Sequence, residues 1–196
     1  MELDRYLAFS LRAEKCQFRV MLPHEVTESY IVGLREQGQY LENANKKISL
    51  PEQSNYVARI LESPDDLLIG LFVEGELVGT SGIQTFAEPC QEGISNDGSY
   101  ATMGVFVFNP SDRGKGYGKT MIWAGVYLLS STLRISTFRA GMERQNISSF
   151  RTFLSCGFRK YEEVGSTFKL SLMIDQLKKP AFITYISVSS LSQKYR

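Results

Sequence analysis

The chain is poor in histidine and cysteine and carries almost no net charge. Its 196 residues include one histidine and three cysteines, and 22 Lys and Arg side chains oppose 21 Asp and Glu. One histidine and three widely spaced cysteines supply neither the ligands of a zinc or iron site nor a disulfide framework. A formal charge of +1 gives no general attraction for nucleic acid or an anionic membrane. We therefore expect a reduced cytoplasmic protein without a metal, which binds any anion at one local site.

Long apolar runs are also absent. Charged residues interrupt residues 1–19, so this stretch does not have the composition of a signal peptide or a membrane span. The length suits one hydrophobic core, and no repeat divides the chain. We expect a single domain over residues 1–175, as a monomer or homodimer, followed by a C-terminal extension at 176–196. Within it, residues 181–188 suit an extra strand, a segment that docks on a partner subunit, or partly ordered chain.

The apolar pattern predicts alternating strands and helices. The predicted strands are 18–22, 67–73, 77–86, 100–108, 135–142, 158–164 and 168–174, and the predicted helices are 24–38, 50–63, 116–131 and 147–156. Ser49 and Glu52 stand at the spacing of a capping box, and Gly75 suits a hairpin turn. This order predicts an α/β fold with a mixed central sheet of about seven strands, helices on both faces and one right-handed parallel crossover.

A glycine-rich loop joins a buried strand to a buried helix. Residues 109–119, which we call the glycine loop, read Asn-Pro-Ser-Asp-Arg-Gly-Lys-Gly-Tyr-Gly-Lys. Glycines let the backbone turn its N–H groups toward a ligand, and the start of the following helix adds a positive dipole end. Arg113, Lys115 and Lys119 add charge. The loop therefore predicts a phosphate site, although an exposed turn has the same composition.

Two other phosphate-binding motifs fit this loop less well. The dinucleotide fingerprint requires a different glycine spacing and an acidic residue about 20 positions later, and residues 130–134 contain no acid. Gly118-Lys119-Thr120 matches the end of a Walker A loop, but Arg113 stands where its first glycine belongs. A nucleotide-phosphate binder therefore stays an alternative.

The segment from Phe108 to Gly118 resembles the acetyl-CoA loop of the GNAT superfamily of N-acetyltransferases, hydrophobic-x-Pro-x-x-Arg-Gly-x-Gly-x-Gly. Downstream, Asn146, Ser149, Phe153 and Gly157-Phe158 stand at the spacings of that family's Asn-x-x-Ala-x-x-x-Tyr-x-x-x-Gly-Phe segment. The resemblance implies the GNAT fold over residues 18–174 and an acyltransferase with acetyl-CoA as co-substrate.

The resemblance also implies where acetyl-CoA binds. The coenzyme would lie where the strand ending at Phe108 diverges from the strand ending near Met142, with its pyrophosphate on the amides of residues 113–118. The residues that this implies for the coenzyme are Phe106, Val107, Phe108, Arg113, Gly114, Lys115, Gly116, Tyr117, Gly118, Lys119, Asn146, Ser149 and Phe153. Asn146 also suits a helix cap, and one side chain can serve both purposes.

Acetyl transfer to an amine requires removal of a proton, because an amine with a pKa of about 10.4 is protonated at neutral pH. Candidate residues are Glu143 as a base and Tyr100 or Thr102 to position water. A solvated ion pair with Arg144 is the alternative for Glu143. Phe153 stands where the family has tyrosine, which leaves the general acid unassigned.

The acceptor site is expected at the first two helices, their connection at 39–48 and the acidic loop at 88–99, with Glu88, Glu92 and Asp97. An acidic site suits a cationic amine. We expect acetyl transfer to a primary amine of a small metabolite such as an amino sugar. A protein or peptide amine acetyltransferase and a catalytically silent acetyl-CoA-binding module are the alternatives. Cys156 is expected to be a buried cysteine, since no histidine follows it to activate a nucleophile.

Overall fold

One sheet carries the fold of this computed structural model, which describes residues 5–36, 48–87 and 99–190. The strands are β1 (Arg5–Leu11), β2 (Glu14–Val20), β3 (Asp66–Val73), β4 (Glu76–Ala87), β5 (Ser99–Val107), β6 (Thr137–Glu143), β7 (Arg159–Val164), β8 (Thr167–Met173) and β9 (Ile183–Ser190). The helices are α1 (Glu28–Glu36), α2 (Leu50–Glu62), α3 (Tyr117–Leu133) and α4 (Ile147–Ser155). Short 3-10 turns lie at Pro23–Glu25, Pro110–Asp112 and Ile174–Gln176.

The sheet is mixed, as predicted. In the described part of the chain it has nine strands in the order β7-β8-β6-β5-β4-β3-β2-β1-β9, and β5 and β6 are its parallel neighbours. The expectation of about seven strands was low by two, because β1 was not predicted and β9 was only one of three alternatives for residues 181–188. Leu7, Phe9 and Leu11 alternate along β1 and are buried, which is the period of a strand with one covered face.

Helices cover both faces of the sheet. α3 and α4 pack on one face, where α3 is buried nearly all round, as its apolar sequence predicts. α1 and α2 build a second core on the other face, around Tyr30, Val57 and Phe108. The predicted capping box begins α2, since the Ser49 hydroxyl accepts from the Glu52 amide and the Glu52 carboxylate accepts from the Ser49 amide.

The chain after β8 returns beneath α3 and joins the sheet. The Lys178 amide donates to the Cys156 carbonyl at 3.0 Å, and β9 then pairs antiparallel with β1. Residues 183–190 therefore form an edge strand of the same sheet. Among the described residues, no helix is long and apolar enough to span a membrane.

Gly157 lies where α4 meets this returning chain, so its substitution tests the packing there. Its φ is +106°, and a Cβ at this position would collide with the Gln176 carbonyl oxygen. Gly165, in the turn between β7 and β8, also has a positive φ, +57°, but a Cβ there would meet nothing within 4 Å. Gly165→Ala is thus a matched control for the backbone conformation alone.

We expect Gly157→Ala to lower the free energy of unfolding by roughly 3 kcal/mol or more, because it adds a steric collision to the backbone strain. Gly165→Ala should cost about 1 kcal/mol, from the strain alone. Urea unfolding of both variants measures the difference. An equal loss of unfolding free energy in the two variants would show that the collision with Gln176 adds nothing to the effect of Gly157→Ala.

Candidate functional site

Two neighbouring strands separate near the middle of the sheet. β5 and β6 pair over Tyr100 with Thr137, Ala101 with Phe138, and Thr102 with Arg139. β5 continues to Val107 and stays paired with β4 on its other side. Beyond Thr102, no strand in the described residues pairs with the side of β5 that faces β6. Main-chain donors and acceptors along this strand gap are therefore available to a ligand.

A cavity of about 350 Å³ lies at the gap, between the first turns of α3 and α4. Its lining comprises Val105, Phe106, Val107, Arg113, Gly114, Gly118, Gln145, Asn146, Ile147, Ser148, Ser149 and Thr152. Seven of these were predicted from the sequence: Phe106, Val107, Arg113, Gly114, Gly118, Asn146 and Ser149. The other five adjoin predicted residues along β5 and α4. Their position next to the motifs in the sequence is the signal from which they could have been predicted.

The glycine loop borders this first cavity at Arg113, Gly114 and Gly118. Gly114 and Gly116 have φ of +80° and +93°, and Gly116 is the N-cap of α3. Within the described chain, the amides of Gly114, Gly116 and residues 117–119 have no hydrogen-bond acceptor, whereas the Thr120 amide donates to the Gly116 carbonyl at 3.0 Å. Unsatisfied donors at a helix N-terminus are an anion-binding arrangement.

Of the three basic side chains in the loop, only Arg113 lines the cavity. The Lys115 ammonium pairs with the Asp112 carboxylate at 2.7 Å, and this hydrogen bond raises the pKa of Lys115. Lys119 is exposed to solvent, outside the lining. Arg113 is therefore the side-chain charge that supplements the main-chain donors.

Several of the predicted residues have side chains that are buried in the cores next to the cavity. Phe108 is buried in the second core, with its ring centroid 5.6 Å from that of Tyr30. Phe153 is buried edge-on against Phe158, and Tyr117 packs in the main core, where burial raises the pKa of its phenol. The side chains of these residues hold the elements in place, and only the amide of Tyr117 belongs to the donor set.

Asn146 caps α4 and lines the cavity. Its side-chain oxygen accepts from the Ser149 amide at 3.2 Å. A side-chain amide has one oxygen acceptor and two N–H donors, so the cap uses the oxygen and leaves the N–H₂ group for a ligand. The two roles considered for Asn146 are therefore compatible.

A second cavity, of about 460 Å³, lies on the opposite face of the sheet beneath α2. Its lining comprises Tyr56, Ile60, Asp66, Leu67, Gly82, Ile83, Gln84, Thr102, Met103, Gly104 and Gly141. The two cavities meet successive parts of β5, because the second contacts residues 102–104 and the first contacts residues 105–107. The sequence analysis identified Thr102 and expected the helix that carries Tyr56 and Ile60 at the acceptor site, but it did not identify the lining residues of β3, β4 and β6.

The three residues predicted for proton transfer lie in different surroundings. Thr102 lines the second cavity, whereas Tyr100 lies beneath the Arg139 guanidinium, 3.8 Å from its ring centroid. The Glu143 carboxylate accepts from the Thr167 hydroxyl at 3.3 Å. Neither Tyr100 nor Glu143 lines either cavity.

The alternative partner proposed for Glu143 is engaged elsewhere, because Arg144 pairs with Glu163. The acidic side chains Glu88, Glu92 and Asp97 lie outside the described residues, as does the connection at 39–47. The part of the acceptor site expected there therefore stays a prediction.

Cys156 does not have the properties of a nucleophile. It is buried, and burial raises the pKa of its thiol to about 11. The thiol donates to the Lys119 carbonyl at 3.8 Å, which ties the end of α4 to the first turn of α3. Burial likewise raises the pKa of Cys16 to about 12. Because the thiolate is the reactive form, both described cysteines are structural.

Comparison with known proteins identifies sequence and fold relatives. A sequence model of the acetyltransferase (GNAT) family matches residues 34–158. No curated protein matches the chain in sequence. An uncharacterised protein of Bacillus halodurans has a similar structure, with a TM-score of 0.73 at 15% identity over 90% of this chain and 93% of that one.

Two further solved structures share the fold and contain a coenzyme. Mycobacterium smegmatis RimJ in complex with CoA-disulfide aligns with a TM-score of 0.69 at 14% identity, over 91% of each chain. An aminoglycoside acetyltransferase in complex with coenzyme A aligns with a TM-score of 0.64 at 17% identity, over 81% of this chain and 94% of that one. At these identities the likeness shows the fold.

Proposed function

The chain belongs to the acetyltransferase (GNAT) family, whose sequence model matches more than half of it, and we propose that it transfers acetyl from acetyl-CoA to a primary amine of a small metabolite, such as an amino sugar. Family membership makes the protein an acyltransferase. The observation that carries the proposal for the coenzyme is the set of amides around the start of α3 that have no acceptor in the described chain, of which Gly114 and Gly118 line the cavity at the strand gap.

The first cavity fits the diphosphate of the coenzyme. The amides of Gly114, Gly116 and residues 117–119 are donors without acceptors in the described chain, and a Cβ at Gly114 would meet no atom within 4 Å. Phosphate oxygens accept such hydrogen bonds, each of which contributes about 1.5–3 kcal/mol when one partner is charged. Arg113 adds a charged donor. We assign these groups to the diphosphate.

The pantetheine arm extends along the strand gap in this proposal. The unpaired side of β5 at residues 105–107 offers main-chain groups to its amides, and the Asn146 side-chain N–H₂ and Ser149 lie across the cavity. The arm then leads toward Gly104, where the second cavity begins. A main-chain N–H at the end of this path stabilises the thioester oxygen as it gains negative charge.

The second cavity takes the acceptor amine. The neutral amine attacks the thioester carbonyl, so that a C–N bond forms, the C–S bond breaks, the nitrogen loses a proton and the sulfur departs as a thiolate. Thr102 lines this cavity and positions the amine or a water that takes the proton. Glu143 and Tyr100 stay predictions for this step. Phe153 has no hydroxyl, so we assign protonation of the thiolate to water.

The lining of the second cavity suits a cationic acceptor. Among the described residues of this lining, Asp66 is the carboxylate and there is no Lys or Arg. The polar side chains of Gln84 and Thr102 suit hydroxyl groups. One solved structure that shares this fold is an aminoglycoside acetyltransferase, which supports an amino sugar as the acceptor.

Gly118→Asp tests the coenzyme site. Gly118 lines the first cavity in the first turn of α3, where a Cβ would lie 3.4 Å from the Thr152 methyl group. Asp suits the first turn of a helix, so the fold should persist while the carboxylate repels the diphosphate. We expect calorimetry to show acetyl-CoA affinity reduced at least about a hundredfold, a loss of roughly 2.7 kcal/mol.

Gly118→Ala is the matched control, because it adds the Cβ without the charge, and its affinity should fall less than about fivefold. Unchanged binding in Gly118→Asp would contradict the assignment.

The wild-type protein should also release the thiol of coenzyme A from acetyl-CoA when a suitable amine is added. Binding without release by any amine in a panel of amino sugars, polyamines and lysine peptides would instead indicate a catalytically silent module.

Gly82→Val tests the acceptor cavity. Gly82 is paired with Gly104 in the floor of the second cavity, and a Cβ there would meet no atom within 4 Å. Valine suits a strand, so stability should not fall, but its side chain occupies acceptor space. We expect kcat/KM for the amine to fall at least about tenfold, with acetyl-CoA affinity and the melting temperature retained. Unchanged amine kinetics would place the acceptor elsewhere.

A further inference from the structure

An aromatic side chain from the C-terminal extension rests on the glycine loop. A Cβ at Gly116 would lie 2.8 Å from Cζ of Phe182 and 3.4 Å from both Cε atoms, so the end of the Phe182 ring occupies the space beside Gly116. Gly116 is the N-cap of α3, and its amide is one of the loop amides that have no acceptor in the described chain. Phe182 thus touches the donor loop directly.

The chain around Phe182 is attached on both sides. Before it, the Lys178 amide donates to the Cys156 carbonyl at 3.0 Å. At Phe182 itself, the carbonyl accepts from the Arg12 amide at 3.3 Å, and the Arg12 guanidinium lies 5.3 Å from the ring centroid. After it, Ile183 is buried and β9 pairs with β1. These attachments hold the ring at a set position relative to the sheet.

Gly116 needs an external support of this kind. It has no side chain that could anchor it, and its φ of +93° is one of several conformations open to glycine. If the loop changed conformation at Gly116, the neighbouring amides would no longer converge on one anion. The amides would then become ordered only when the ligand binds, and this ordering lowers the affinity.

We propose that Phe182 is a positioning residue for the coenzyme site, and that the C-terminal extension thereby contributes to acetyl-CoA binding. The ring holds Gly116 in the conformation that aims the amides of Gly114, Gly116 and residues 117–119 at the diphosphate. This inference rests on the proposed function, because it assumes that these amides bind the coenzyme. Phe182 acts on affinity for the coenzyme and takes no part in the chemical step.

Phe182→Ala and Phe182→Leu test the proposal. Phe182→Ala removes the ring, and Phe182→Leu keeps apolar volume in the core while shortening its reach toward Gly116. We expect the Kd and KM for acetyl-CoA to rise about tenfold in the alanine variant and several-fold in the leucine variant. The kcat at saturating acetyl-CoA and the KM for the amine should stay within about twofold of wild type.

Ile183→Ala is the control for a purely structural effect. Ile183 is the next residue and is buried in the main core, so its truncation should lower the melting temperature at least as much as Phe182→Ala. It should nevertheless retain acetyl-CoA affinity within about twofold. An equal loss of affinity in Ile183→Ala would attribute the effect to general destabilisation and overturn the positioning role.

The outcomes separate this inference from the proposed function. If the wild-type protein binds acetyl-CoA and the folded Phe182→Leu variant binds it equally well, the positioning role is wrong and the coenzyme site stands. If the wild-type protein does not bind acetyl-CoA, the proposed function itself fails. Should Phe182→Ala not fold, the leucine variant alone decides between these results.

Discussion

The short parallel pairing between β5 and β6 is the constraint on which the rest of the site depends. The two strands pair over three residue positions and then separate, while β5 remains bound to β4 on its other side. A strand held on one side only keeps its position and still offers main-chain groups along the other. Both cavities adjoin β5 at this point, and α3, which connects the two strands, brings the glycine loop to the same place.

The proposed coenzyme site is built mainly from the main chain. Its donors are amides at the start of α3, and side chains act largely by fixing where those amides lie. Tyr117 anchors the first residue of the helix in the core, the Cys156 thiol bonds the carbonyl of Lys119, and the ring of Phe182 rests on Gly116. Because the proposed ligands of the diphosphate are main-chain amides, phenylalanine at position 153 leaves this donor set intact.

Local sequence patterns predicted the parts of the fold and site that depend on neighbouring residues. The glycine loop, the capping box of α2 and the apolar α3 all express short-range preferences, and each is found where expected. The second cavity was missed because its floor is formed by Gly82 and Gly104, which adjoin only through the register between β4 and β5. Lys115 stays a prediction for the coenzyme; its ammonium pairs with the Asp112 carboxylate, a contact that its place in the motif did not indicate.

The central claim is that amides of the glycine loop bind the diphosphate of coenzyme A. Amide proton–nitrogen correlation spectra, recorded while coenzyme A is added, test it residue by residue. The account predicts that the signals of Gly114, Gly116 and residues 117–119 shift together and saturate with the binding curve, because these amides gain acceptors. Saturable binding that leaves all five signals in place would contradict the account.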